Sequence, residues 1–420
     1  METISINDLY NLKESLGKKG YTFKENTNGK LVFFNNENTL EFLLNDYIDI
    51  QHKLLMPNYE NCILNVVASV EKHYGFTPKY KTNSKIDEIL NSKKYKHIAI
   101  MILDGMGSYI MRKNLSDESF LQTNKICDIR AVFPSTTACA IPATCSGLEP
   151  LKTGWVGWEN YFKEIKEYVV MFRNIEYFSS KPLNINIERD ILPYKKFYEK
   201  FNTNTFDLGP SFTPSNCKTI EELCNKYIQK TNELDSSFAY LYWDNPDMAM
   251  HEFGSYSQEA KNVLNNIDKA LKDMSEKLSD DTLIIATADH GHIDCNPIYI
   301  SKFKDIMSTL TRLPGNEGRA AFFKVTPFKK RKFEKLFNNY FGNYFALIKR
   351  KDFIEEGYLG PNYQEVNSHV IDFIGDYVAI AKSTYYFDFT PDGNPNFIMK
   401  SHHAGITANE MVIPLIKIVK

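Results

Sequence analysis

The sequence predicts an α/β fold, with a mostly parallel central sheet, helices on both faces and a smaller α+β insertion. Three observations predict it. Short, continuous apolar runs recur along the chain: HIAIMIL (97–103), IRAVF (129–133), EYVVMF (167–172), SFAYLYW (237–243) and TLIIATA (282–288). Such runs suit strands buried on both faces. Helix-periodic segments alternate with them, and between about 298 and 400 the pattern breaks into a different, mixed character.

Residues 1–60 read as an appendage. YTFKENTNG followed by KLVFFNN suggests a hairpin with an Asn-Gly turn. ILNVVASVEKHY (63–74) reads as an amphipathic helix closing at Gly75. In SQEAKNVLNNIDKALKDMSEKL, Val263, Ile267, Ala270, Leu271, Met274 and Leu278 fall at helical spacing, so a long helix with one buried face is expected. RAAFFKV, a charged helix around KKRKFEKLFNNY, and YVAIAKSTYYF make the 298–400 segment an α+β insertion, whose place between two motif regions suits a lid. SHHAGITANEMVIPLIKIV then returns to the core. The expected division is therefore 1–60, a core of 61–297 with 401–420, and the insertion 298–400.

Composition excludes several classes. The 420 residues are 43% hydrophobic and 24% charged, which suits a globular chain rather than a disordered one. A net charge of −2 gives no support to nucleic-acid binding as the main activity. No apolar run approaches the roughly 20 residues of a membrane span, so no membrane partner is expected. The N-terminal stretch lacks a signal-peptide core, and seven cysteines form no CxxC pair. A cytoplasmic location is expected.

In open α/β sheets ligands bind beyond the carboxyl ends of the strands. Here one run ends in Asp104 and another in Asp289-His290. A third leads into Ser135-Thr136-Thr137, and a fourth into Asp247 and His251. Carboxylates with imidazoles suit zinc, and manganese where oxygen dominates. Pro246 fits the first turn of a helix capped by Asp244 or Asn245, which would set Asp247 and His251 at i and i+4. Taken alone, that pair reads equally as a capping aspartate and a surface histidine.

Asp289-His290-Gly291-His292 reads either as a ligand pair at a backbone turn or as a capped turn, with His292 a further ligand or, in preference, outside the ligand set or solvated. One of Ser135, Thr136 and Thr137 is expected to cap a helix while a neighbour, at the positive helix end, serves as an alkoxide nucleophile. Cys139 begins CAIPA rather than the C-x-P-x-R of a modified-cysteine sulfatase, so Cys139 and Cys145 are expected in the core. His52, His73, His97 and His369 stand outside any motif.

LDGMG (103–107), FPSTTACA (133–140), NPDMAMHEFG (245–254), TADHGH (287–292) and HAGITANEMVIPL (403–415), in that order, resemble the alkaline phosphatase superfamily. Within it the sequence is most similar to type I phosphodiesterase/nucleotide pyrophosphatase proteins, over about residues 60–420. The resemblance implies two divalent ions, zinc before manganese. Asp104, Asp289, His290 and the nucleophile would hold one; Asp247, His251 and His403 would hold the other, with His402 the alternative last ligand. It implies Thr137 as nucleophile, Thr136 second, and a covalent threonine intermediate in hydrolysis of phosphodiester or pyrophosphate bonds.

Such a protein would take a small phosphate ester or nucleotide as partner. Family members carry a phosphate-binding asparagine where this chain has Trp158, with Asn160 a nearby substitute. Trp155, Trp158, Tyr161 and Phe162 would either stack a base or pack under the insertion. A phosphomonoesterase or phosphonate hydrolase on the same core is the enzymatic alternative, with Arg319 or Lys152 gripping a dianion from afar. A non-catalytic metal-binding scaffold is the alternative from another class.

Overall fold

The computed structural model describes residues 2–27, 30–44, 54–362, 364–395 and 397–420. At its centre is a six-stranded sheet in the order Asn204–Leu208, Ser237–Trp243, His97–Leu103, Thr282–Thr287, Val412–Ile418, Lys125–Arg130. Only Val412–Ile418 runs against its neighbours. The register pairs Trp243 with Leu103 and Thr287 with Ile102, so Asp104 and Asp289 emerge at one edge. Every residue of His97–Leu103 is buried, which explains its unbroken apolar run.

Ile63–His73, Ser84–Ser92 and Thr137–Ser146 form one helical layer, and Ile220–Glu233, Gln258–Ser275 and Ser108–Asn114 form the other. Gln258–Ser275 buries Ile267, Ala270, Leu271 and Met274, as its spacing predicts, but Leu264 rather than the half-buried Val263 completes that face; Ser257 caps it by accepting the Ala260 N–H at 3.1 Å. Ile63–His73 is buried from Ile63 to Glu71 rather than on one face, and its buried Asn65 is satisfied by bonds to Cys62, Tyr59 and Lys81.

Two expectations change. EYVVMF does not join the main sheet. Glu167–Val170 lies in a second, antiparallel sheet of seven strands with Glu159–Phe162, Ile175–Glu176, Gly315–Glu317, Ala320–Phe323, Phe345–Lys349 and Tyr377–Ala381. Residues from before 298 thus share a sheet with the 298–400 segment. The strand expected at 129–133 ends at Arg130, and Ala131–Phe133 continues toward the helix without pairing as strand.

The N-terminal hairpin forms between Thr22–Thr27 and Lys30–Phe34, within a four-stranded sheet; its Asn28-Gly29 turn and His52 lie outside the described residues. Ile6, Leu9 and Leu16 pack with Phe303, Phe337 and Phe341, so the part of this appendage that carries the hairpin sits on the 298–400 segment, whereas the Leu55 N–H donates to Ile406 O at 2.8 Å and Tyr59 joins the main core.

Candidate active site

Asp104 follows the central strand, and Gly105 (φ +73°) turns the chain there. The Gly105 N–H donates to Asp289 Oδ1 at 3.0 Å and the His290 N–H to the same oxygen at 2.9 Å. Asp289 Oδ2 is buried with no hydrogen-bond partner. Gly291 is needed for space rather than for a turn, since a Cβ there would lie 2.0 Å from the Asn409 carbonyl oxygen.

The three hydroxyls of residues 135–137 go separate ways. Ser135 donates to Gly405 O at 2.8 Å and Thr136 to Glu317 Oε1 at 2.8 Å, so neither caps the helix with its side chain. Thr137 alone faces the carboxylates: its Oγ1 is 3.3 Å from both oxygens of Asp104 and 3.2 Å from His290 Nε2. Thr137 is the first residue of helix Thr137–Ser146, and neither its N–H nor that of Ala138 makes a described backbone bond. Both donors stay available to an anion.

Asp247 and His251 occupy helix Asp247–Phe253, with Pro246 at the cap position in place of Asp244 or Asn245. His251 Nε2 is 3.4 Å from Asp247 Oδ1 and its Nδ1 is 2.9 Å from Ser401 O. Pairing of Ile293 with His402 sets His292 beside His403. His403 Nε2 is 3.7 Å from Asp247 Oδ1, its ring stacks on His290 at 3.9 Å, and its buried Nδ1 has no partner. His402 instead accepts the His403 N–H at 2.9 Å through Nδ1.

His292, the optional further ligand whose preferred reading is a solvated or outer residue, is fully buried with Nε2 2.5 Å from Asp247 Oδ1. Its Nδ1 is 2.9 Å from Ser401 Oγ, and that hydroxyl donates to Met250 O at 2.8 Å. The Ser401 oxygen must then accept from Nδ1–H, leaving a lone pair on Nε2. Two acceptors 2.5 Å apart need a proton shared between them, since a metal bonded at about 2.0–2.2 Å to each would not fit in that gap.

Among the described residues two sets have ligand atoms all within 4.8 Å of one another: Asp104, Asp289 and His290; and Asp247, His290, His292 and His403. His251 stands beside the second set. The orphaned Asp289 Oδ2 and His403 Nδ1 fit bound divalent ions.

Protonation compensates for their charge otherwise. Burial, then Asp289 and Asp247, hold Asp104 well above the usual carboxylate range. Burial opposes a charge on His290, but Asp289 and Asp104 outweigh it and raise the imidazole to about 10. Burial first, then repulsion from His290, keeps His403 well below its ordinary value.

Sequence reasoning missed two contributors. Tyr242 donates to Asp104 Oδ2; its place opposite Ile102 is legible only once the strand register is known. Glu317 accepts from Thr136 and from the Trp158 N–H at 2.8 Å, and no motif marks it. Burial raises Glu317 to about 7, against its bonds from Thr136 and Trp158.

Trp158 therefore joins the nucleophile turn through its backbone. The Asn160 amide donates to Gly157 O at 3.1 Å, and Trp155 and Phe162 are core residues. Arg319 is not available to substrate: it is buried, gripping Glu410 at 2.6 and 2.9 Å. Lys152 pairs with Glu365. Cys139 and Cys145 are buried in the core as expected.

The fold and the paired carboxylate–imidazole sets define a metal-dependent phosphoester hydrolase of the alkaline phosphatase superfamily. The model of the type I phosphodiesterase / nucleotide pyrophosphatase family matches residues 98–405, and the chain belongs to that family. Among solved structures it is similar to human ectonucleotide pyrophosphatase/phosphodiesterase 5, at 16% identity and a TM-score of 0.56, over 76% of this chain and 87% of that one. An inactive threonine-to-alanine form of the murine protein in complex with AMP gives 14%, 0.55, 77% and 87%. Phosphonoacetate hydrolase from Sinorhizobium meliloti 1021, with phosphonoacetate, gives 14%, 0.57, 78% and 90%. A search of curated protein sequences gave no significant match.

Proposed function

We infer that the protein hydrolyses phosphodiester or pyrophosphate bonds in nucleotide-like substrates, with Thr137 as the attacking group. The carrying observation is the isolation of Thr137 Oγ1 between Asp104 and His290 while Ser135 and Thr136 are engaged elsewhere. Asp104, Asp289 and His290 would hold one divalent ion, zinc by ligand type, and Asp247, His251 and His403 the other. Such ions supply charge neutralisation and Lewis acidity toward phosphoryl oxygens.

The protein's own groups then act in order. Asp104 orients the Thr137 hydroxyl, with Tyr242 bonded to its second oxygen. The Thr137 and Ala138 N–H groups receive phosphoryl oxygens at the helix start. Oγ1 attacks phosphorus and expels the leaving alcohol or phosphate, giving a phosphorylated or nucleotidylated threonine that water then hydrolyses.

The engagement of Arg319 and Lys152 favours diesters, since neither is free to grip a dianionic monoester. The likeness to a phosphonate hydrolase is one of fold. Turnover of a bis-aryl phosphate diester against its aryl monoester, in zinc- or manganese-loaded protein, separates the readings. Faster diester turnover is expected; a strong monoester preference overturns the choice, and no turnover of either favours a scaffold. All seven cysteines are free, which supports a reducing, cytoplasmic setting.

A further inference from the structure

The charged helix of the 298–400 segment has no part in the site described above. Its inner face is filled by Phe333, Phe337, Tyr340 and Phe341, while the triplet Lys330-Arg331-Lys332 is exposed at its first turn, following the exposed Lys329 at the cap. Cations at that end oppose the helix dipole, so helix stability does not account for them. A second triplet, Lys349-Arg350-Lys351, starts the helix Arg350–Glu355.

Lys330 and Arg331 of the first triplet and all three residues of the second line one open cleft of about 440 Å3, and Lys332 lies exposed next to Arg331 in the chain. Its two carboxylates are already engaged: Asp376 holds Lys330 at 2.8 Å, and Glu334 accepts from Tyr377 at 2.8 Å. Arg331, Lys332 and Lys349 make no described hydrogen bond or ion pair. Beside them Phe328 is fully exposed, at 105% of its reference area, and has a φ of +67°. A bulky side chain in the left-handed region is strained, and this one gains no packing in return.

We propose that Phe328 and the two basic triplets dock the protein peripherally on an anionic lipid bilayer. The ring enters the headgroup layer while Arg331, Lys332 and Lys349 meet lipid phosphates and carboxylates. An apolar wedge with a basic cluster is the two-part signal that reversible attachment needs. A nucleic acid is less suited, because tracking a strand takes several stacking platforms along a groove and this patch offers one projecting ring at a turn tip. No helix among the described residues is long and apolar enough to cross a membrane, so the attachment is to the surface. The proposal departs from the sequence expectation of no membrane partner, which rested on the lack of a spanning apolar run.

Sedimentation of the full chain with vesicles is the test. One set contains phosphatidylcholine alone, the other phosphatidylcholine with phosphatidylserine, both at low salt. Selective partition to the anionic vesicles is expected. It should fall about tenfold in Phe328→Ser and at least as far in Arg331→Glu/Lys332→Glu. Both changes are on the surface, so circular dichroism and ester turnover should match the parent protein. Equal binding to both vesicle types, no binding, or indifference to Phe328→Ser would overturn the proposal. So would tighter binding to single-stranded RNA than to the anionic vesicles.

Discussion

His292 approaches Asp247 more closely than either neighbouring histidine does, at 2.5 Å against 3.4 Å for His251 and 3.7 Å for His403. Because Ser401 fixes the ring from its far side, His292 sets where the Asp247 carboxylate points. His292→Asn should therefore weaken metal retention by roughly 10- to 100-fold. Competition with a chromophoric zinc chelator measures this directly. Unchanged affinity would remove His292 from the site.

Thr137→Ala should lower turnover on the order of a thousandfold or more, with both metals still bound. Thr137→Ser should keep part of the activity, since it keeps the hydroxyl. Acid-quenched parent protein should carry a phosphoryl or nucleotidyl group on the peptide containing Thr137, read by mass spectrometry. Full activity in Thr137→Ala would return the role to Thr136.

The ion-free protein should lose stability as pH rises. His290 has a folded value near 10, above its ordinary 6.5, so the stabilisation from its protonated form is complete below about 6.5. That contribution is lost as pH climbs through about 10. Asp104, also raised, acts in the same direction above the ordinary carboxylate value. The Tm of chelator-treated protein should fall between pH 7 and pH 10, and added zinc should recover more of it at the alkaline end. A Tm that stays flat or rises over that range contradicts this account.

Arg319 should matter for folding rather than for substrate grip. It and Glu410 are both fully buried, and Glu410 also accepts from the Gly405 N–H at 2.7 Å and the Thr407 hydroxyl at 2.6 Å. Arg319→Ala leaves that carboxylate unpaired and should cost about 3–5 kcal/mol. Urea denaturation provides the figure. Loss of substrate affinity at unchanged stability would point back to a binding role.

The strand-end carboxylates were legible because apolar runs stop abruptly at Asp104 and Asp289, and strand ends gather ligands. The helix 258–275 was legible from its spacing. EYVVMF was misplaced because a short apolar run does not say which sheet it joins. His292 was undervalued because its contact to Asp247 depends on the pairing of Ile293 with His402, more than a hundred residues apart. Glu317 sits in LPGNEGRAAF, where nothing in the local pattern distinguishes a structural carboxylate from a surface one.

Among the described residues, the strand Lys125–Arg130, which leads to the nucleophile turn, pairs with the main sheet through Val412–Ile418. Asp104, Asp289 and His290 instead follow two strands that pair directly with each other. The turn bearing Thr137 is thus anchored by a contact bridging nearly three hundred positions, the kind of non-local closure that slows folding, while the three groups proposed to hold one ion come together over a shorter stretch of chain.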